Sequence, residues 1–341
     1  MDSRQIGSFK VSEVGLGCMN LSHAYGTPPS EKDAIRMLNE ALDMGYTMLD
    51  TAALYGFGSN EQLLNKAVMH RRDEFMLASK CGMFKNDAGI RTIDGHPDVL
   101  KKTCEESLSR LGCDVIDVYY LHRRDRNIPI EDSVGALSDL VAEGKIRSIG
   151  LSEVSADTLR KAHAVHPVSA LQTEYSLWTR NPEISVLDAC DELGVSFVAF
   201  SPLGRGFLTG KLIDVSDFEE KDIRRNMPRF EPENYRQNLS LLEGLKPIAE
   251  NHNCSLAQLS LAWLLNKSKN IIPIPGTTRL EHAAENLNSV NIKLDAETIG
   301  KMGSFINQDT VIGARYNEST QAEIDTEEFY QSHLKQKAGN C

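Results

Sequence analysis

The chain has 341 residues and a formal net charge of -11, with a sequence pI near 5.4. That acidity argues against an extended basic face of the kind that nucleic acid or an anionic membrane surface requires, while leaving room for a local basic pocket for a phosphate. At 41% hydrophobic and 25% charged residues, the composition is that of a globular protein with a sizeable core, and the length suits either two ordinary domains or one large α/β barrel. Residues 1–10 are polar, and no later stretch is apolar for long enough to cross a bilayer. The seven cysteines, at 18, 81, 104, 113, 190, 254 and 341, are scattered and never form a Cys-x-x-Cys pair. Free thiols in a reducing cytosol are therefore expected, with a cytoplasmic location, no disulfide frame and no metal site.

Residues 14–19 read as a first buried strand. Its Gly15-x-Gly17 pair lacks the third glycine of a dinucleotide fingerprint, because Asn20 stands there, and is read as close backbone packing. Ser30 is the expected N-cap of a helix whose apolar stripe is Ile35, Leu38 and Leu42. From there one unit repeats, a helix that ends in glycine followed by an apolar strand. Gly45 precedes 46–50, Gly112 precedes 115–121, Gly144 precedes 146–151, and Gly194 precedes 195–200. Glycine best tolerates the left-handed turn that returns the chain to the sheet. Between the strands, Leu100, Cys104, Leu108 and Leu111 form one helical stripe, and Val134, Leu137 and Val141 another. Further strands are expected at 75–79, 170–173 and 271–274, which makes eight. Eight βα units of roughly 30 residues each predict a single closed (β/α)8 TIM barrel of parallel strands over residues 1–341. An N-terminal β-hairpin and extended loops at the C-terminal face complete the expected α/β fold, and 306–341 is expected to be a polar tail near the active-site face or partly disordered.

In such a barrel the active site lies at the carboxyl ends of the strands. Asp50 and Tyr55 follow strand two, Lys80 strand three, His122 strand four and Ser152 strand five. Gln172 lies on strand six, Ser201 follows strand seven, and Gly276-Thr277-Thr278-Arg279 follows strand eight. A carboxylate at the end of an apolar run needs a neutralising partner, and Lys80 supplies one. Singly, each residue has a plain structural reading: Tyr55 as a turn aromatic, Asp50 as a cap, Lys80 as a solvated charge, His122 as a hydrogen-bonded core histidine, Arg279 as a surface residue. Four such residue types in order at three strand ends argue instead for a proton-donating site.

Asp50-Thr51-Ala52-Ala53-Leu54-Tyr55-Gly56, Lys80 after Ala78-Ser79, and His122 after Tyr120-Leu121 resemble the catalytic tetrad of the aldo-keto reductase superfamily. The resemblance runs on through Ala170 to Trp178, Ser201-Pro202-Leu203-Gly204-Arg205-Gly206, and Ile274 to Arg279. Gly150-Leu151-Ser152-Glu153 and Ala164-Val165-His166-Pro167 bring it closest to the branch of perakine reductase-like and pyridoxal reductase-like enzymes. The resemblance implies NADPH-dependent reduction of aldehydes or ketones, with Tyr55 as proton donor, Lys80 lowering its pKa, Asp50 holding Lys80, and His122 orienting the carbonyl. It further implies Ser152 and Gln172 on the carboxamide and Phe200 stacked on the nicotinamide. Ser201 and Leu203 are implied at the pyrophosphate, with Gly204 and Arg205 also against the cofactor. Thr277, Thr278 and Arg279 after Gly276 are implied on the 2′-phosphate, and Glu285 and Asn286 on the adenine. Glu153 stands where many relatives carry asparagine, and Gly276 where other branches carry lysine.

Tyr55, His122 and Trp178, with loops 81–95 and 205–232 and the tail after 305, are expected to hold a small carbonyl substrate. A monomer or weak homo-oligomer is expected, with no nucleic-acid or membrane partner. Two rival readings are a cofactor-binding regulatory protein in the manner of potassium-channel β subunits, and a Schiff-base lyase on Lys80. The lyase needs a neutral Lys80, which Asp50 opposes.

Overall fold

A computed structural model of the chain describes residues 2–86 and 89–329. Asp87 and Ala88 of the 81–95 loop, the 330–341 part of the expected tail, and Cys341 lie outside the described residues. Eight parallel strands form one sheet: β1 (Leu16–Gly17), β2 (Met48–Asp50), β3 (Met76–Cys81), β4 (Ile116–Leu121), β5 (Ile146–Ser152), β6 (Val168–Glu174), β7 (Ser196–Phe200) and β8 (Ile271–Pro273). Its two edges meet. Gly15 N donates to Pro273 O at 3.0 Å, Gly17 N donates to Pro275 O at 3.3 Å, and Gly17 bridges Gly276, so the sheet closes into the expected (β/α)8 barrel. The helices that follow the strands pack outside it. Ser30 caps the first of them by accepting from Asp33 N at 3.2 Å, and Gly45 ends it in the left-handed conformation with φ 104°.

The strands alternate, and that alternation aims the site. Met48, Met76, Ala78, Val118, Tyr120, Ala170, Val198 and Ile272 fill the barrel interior, while Leu49, Leu77, Tyr119, Leu121, Leu171 and Phe197 face the helices. Continuing each inner row by two residues toward the C-terminal rim brings Asp50 above Met48, Lys80 above Ala78, His122 above Tyr120 and Gln172 above Ala170. The opposite end is stoppered by the N-terminal hairpin, Ser3–Ile6 against Phe9–Ser12, whose Ile6 and Val11 join the interior cluster. Arg4 ties that hairpin to the barrel base, donating to Leu265 O at 2.7 Å and to the carbonyls of Ser268 and Ile271.

Several elements depart from the sequence expectation. The first two strands are shorter than expected because the Tyr46 N–H donates back to Ala41 O of the preceding helix at 3.1 Å, and because β1 yields to a short turn over Met19–Leu21. Lys80 lies within β3 rather than after it. Residues 232–251 form three short helical pieces, Pro232–Leu239, Ser240–Gly244 and Lys246–Asn251, the last beginning where Pro247 cannot donate a helical hydrogen bond. The six described cysteines are all free, and no described helix is long and apolar enough to cross a membrane.

Interior packing also predicts a stability contrast. A Cβ at Gly150 would lie 2.3 Å from the Tyr120 ring, whereas one at Gly135, inside helix Ile130–Ala142, meets nothing within 4 Å. Gly150→Ala is expected to cost about 1–3 kcal/mol by overpacking. Gly135→Ala is expected to gain up to about 1 kcal/mol from helix propensity. Urea unfolding midpoints read both, and equal shifts would contradict this account of the interior.

Candidate active site

Lys80 is the hub of the upper rim. Its ammonium, 1% exposed as a residue, donates to Asp50 Oδ1 at 2.5 Å, to Thr51 O at 2.8 Å and to Tyr55 Oη at 3.3 Å. All three N–H donors of the group are thereby used. The second Asp50 oxygen accepts from Gln172 Nε2 at 2.7 Å. Burial alone would push the Lys80 pKa down, but Asp50 and then Tyr55 outweigh it, and the ammonium is held above its ordinary value. Burial pushes the Tyr55 phenol up; Lys80 pulls it down, and the net result stays above the ordinary value. The lowered phenol expected from the sequence is therefore corrected: the cation limits the rise and does not reverse it.

The turn that carries Tyr55 is built by backbone geometry. Thr51 N donates to Ala78 O at 2.9 Å and Ala53 N to Lys80 O at 3.2 Å, extending the ladder past β2. The chain then reverses through three successive left-handed residues, Gly56, Phe57 and Gly58, with φ of 56°, 53° and 94°. Asn60 fixes the reversal, accepting from Thr51 Oγ1 at 2.6 Å and donating to Cys18 O at 2.9 Å. His122 stands edge-on to Tyr55, with ring centroids 5.9 Å apart. Burial, then the charges of Arg123 and Lys80, hold its pKa well below the ordinary value, so the imidazole is neutral. Its Nδ1 is enclosed without a partner. The proton then belongs on Nε2, the ring nitrogen open to the cleft, because a lone pair is the cheaper group to leave unpaired.

Above this cluster runs a cleft of about 990 Å³, lined by Asp50, Tyr55, His122, Ser152, Gln172, Phe200, Ser201, Leu203 and Arg205. It continues past Gly276, Thr277, Thr278 and Arg279 to Glu285 and Asn286. Arg279 is exposed at the N-terminus of helix Leu280–Asn288, its N–H bound to Thr277 Oγ1 at 3.1 Å, and among the described residues no carboxylate pairs with it. A Cβ at Gly276 would lie 3.0 Å from the backbone oxygen of Gly17, so the close passage of the two strand ends there favours glycine. Ser201 turns the chain after β7 with φ 48°.

Two expected site residues lie outside the cleft, and a third reaches it with its charge already engaged. Trp178, expected in the substrate wall, is 3% exposed and stacks on Phe207 at 4.1 Å, outside the cleft. Apolar packing wins that indole, and His23, Arg91 and Arg123 line the cleft near Tyr55 and His122 instead, with Met83 and Tyr316 also in its wall. Gly204 packs beneath Trp178, where a Cβ would come within 3.0 Å of the indole. Arg205 reaches the cleft, but its guanidinium is committed: it donates to Glu174 Oε2 at 2.7 Å, Tyr316 Oη at 2.9 Å and Tyr25 Oη at 3.2 Å.

Sequence reasoning missed Arg315, the residue that explains Glu153. Glu153 is fully buried at φ 56°, and its Oε1 accepts from Glu174 N at 2.9 Å and from Arg315 Nη2 at 2.7 Å. Arg315 also donates through Nε to Glu174 Oε2 at 3.0 Å. The only signal in the sequence was the acid at position 153 itself, a buried charge in want of a cation. Burial pushes the Glu174 carboxyl up, but Arg205, Arg315 and Arg229 outweigh it and bring its pKa to about 2. Its folded pKa lies below the unfolded value, so the stability it adds is fully present above the ordinary carboxylate range and lost as pH falls toward about 2. Glu174→Gln is expected to cost about 3–5 kcal/mol at pH 7 by leaving arginines unpaired and to flatten the acid limb of the stability curve. Urea midpoints between pH 2 and 7 test it; an unchanged pH dependence would refute the assignment.

A model described as the aldo/keto reductase family matches residues 13–307. The aldo-keto reductase yakc of Schizosaccharomyces pombe, whose name specifies NADP(+), is 44% identical over 320 residues, covering 92% of this chain and 94% of its own. Probable aldo-keto reductase 1 of Glycine max is 40% identical over 309 residues, covering 90% of this chain and 89% of its own. Among solved structures, a glycerol dehydrogenase from Gluconobacter oxydans superposes with a TM-score of 0.81 at 26% identity, over 91% of this chain and 96% of its own. On the match across residues 13–307 and on these relatives, the chain belongs to the aldo/keto reductase family of oxidoreductases.

Proposed function

We propose that this protein reduces aldehydes or ketones to alcohols with NADPH, Tyr55 giving the proton. The observation that carries the reading is the hydrogen-bonded run Asp50–Lys80–Tyr55 at the floor of the cleft, with the neutral His122 beside it. The residues along the cleft suit the cofactor: Arg279 is a cation without a carboxylate, next to the hydroxyls of Thr277 and Thr278, a donor set fitted to a phosphate. The NADP(+) specified in the name of the S. pombe relative agrees with that donor set. Ser152, Gln172 and Phe200 are assigned to the nicotinamide end, Ser201, Leu203 and Arg205 to the pyrophosphate side, and Glu285 and Asn286 to the adenine. When bound, NADPH supplies the hydride.

The chain's own groups manage the proton. Tyr55, its pKa raised by burial, stays protonated at neutral pH and can transfer its proton to the carbonyl oxygen as negative charge develops there. Lys80, 3.3 Å from that hydroxyl, stabilises the phenolate left behind, and solvent returns the proton. Asp50 keeps Lys80 charged; the same charge opposes Schiff-base chemistry on Lys80. His122 offers Nε2–H to the carbonyl oxygen and fixes its orientation.

Loss of NADPH absorbance with an aldehyde, ketone and pyridoxal panel tests the reading. Tyr55→Phe is expected to lower kcat by about 10²–10⁴-fold while NADPH binding persists; a fully active variant would falsify the proton-donor role. Arg279→Met is expected to raise KM for NADPH about 10-fold or more and leave NADH nearly unaffected; equal loss with both would remove the 2′-phosphate assignment. With His122 held low and Tyr55 high, kcat/KM for reduction is expected to be level from about pH 6 to 8 and to fall only in alkali. An inflection near the ordinary histidine pKa would instead mean that His122 acts as a charged acid.

A further inference from the structure

Six arginines and lysines line the cleft, and four of them face a carboxylate. Arg91 pairs with Glu323, Arg205 with Glu174 at 2.7 Å, Arg224 with Asp222 at 2.6 Å, and Lys211 lies 4.0 Å from Glu285. Among the described residues only Arg279 and Arg123 of the lining arginines and lysines lack a carboxylate. Arg279 is accounted for by the cofactor phosphate in the preceding reading. Arg123 is not.

Arg123 follows His122 directly and is half-buried. One nitrogen, Nη1, is spent on the barrel rim, donating to His122 O at 2.6 Å and to Ser152 Oγ at 3.2 Å. Those bonds fix the guanidinium plane. Its Nε and Nη2 donate to nothing among the described residues, and neither is enclosed. The edge left free is thus the two-donor edge that matches a carboxylate. The positive charge acts on both Tyr55 and His122, so it stands at the reacting end of the cleft.

The geometry points to a substrate-anion site: the protein prefers aldehydes or ketones that carry a carboxylate within a few atoms of the carbonyl, held bidentately by Arg123. The inference rests on the reductase reading of the same cleft. A monoanion fits better than a phosphate dianion, because among the described residues Arg123 is the single uncompensated cation near the catalytic pair, with His122 neutral and Arg91 engaged by Glu323.

Matched substrates test it on the full chain with saturating NADPH: succinic semialdehyde against butanal, and 4-carboxybenzaldehyde against 4-methylbenzaldehyde. The expected result is a kcat/KM at least about 10-fold higher for the carboxylate member of each pair, arising in KM. Arg123→Met is expected to collapse that ratio, and Arg123→Lys to restore only part of it, since an ammonium lacks the fork. A ratio near one in the parent, or equal losses on both members in Arg123→Met, overturns the proposal while leaving the reductase reading intact. A stronger preference for glyceraldehyde 3-phosphate over the carboxylates overturns the monoanion assignment. If no carbonyl turns over, the reductase reading fails, and calorimetry of succinate binding to the protein–NADP+ complex decides the site: binding lost in Arg123→Met upholds it, and no binding to the parent overturns it.

Discussion

The arrangement depends on one buried ion pair. Lys80 and Asp50 sit almost wholly out of water on adjacent strands of a closed barrel, 2.5 Å apart. Two charges in that position cost several kcal/mol each to desolvate, and they are tolerated only when every remaining donor and acceptor is matched. Here Thr51 O, Tyr55 Oη and Gln172 Nε2 do the matching. The pair therefore specifies more than its own geometry. It dictates that the turn after β2 bring a hydroxyl over the lysine, and that β6 present an amide to the aspartate. The Tyr55 hydroxyl placed by this route is held by the same bonds that make the ion pair affordable, so the stability of the pair and the placement of that hydroxyl share one hydrogen-bond set.

Barrel closure makes the convergence possible. Asp50, Lys80, His122 and Gln172 are far apart in sequence, yet each extends an inward-facing row by two residues. A period of two along each strand, plus a closed sheet, is sufficient to aim them at one point. This part was legible in advance, because apolar runs with glycine-terminated helices between them fix strand order, and the polar residue at the end of each run is visible without a structure. The N-terminal hairpin has an equally simple role, supplying the apolar stopper that an open barrel base requires.

What was not legible has physical causes. Trp178 reads from sequence as a wall residue, but its destination is set by Phe207, Phe230 and Arg229 packing around it, contacts between segments with no local signal. The direction of the Tyr55 shift turns on the balance between desolvation and one cation, and only burial decides that balance. Arg123 beside His122 is visible as a letter, whereas its lack of a carboxylate becomes visible only after every other cation in the cleft has been paired. The segment 306–329 has weak periodicity because polar contacts hold it: Arg315 to Glu153 and Glu174, Asp325 to Arg124 and Thr158, and Glu327 to Ser185.

That last feature bears on how the enzyme can change. Loops over a barrel mouth are commonly treated as interchangeable modules on an indifferent scaffold. In this chain the terminal segment contributes a guanidinium to the scaffold's own electrostatic balance, inserted between acids that belong to β6 and to the residue after β5. Swapping the segment for one without that cation would strand Glu153, whose second oxygen already lacks a partner. Positions 153 and 315 are thus coupled energetically, and a new specificity introduced through the tail would need its own answer to a buried acid.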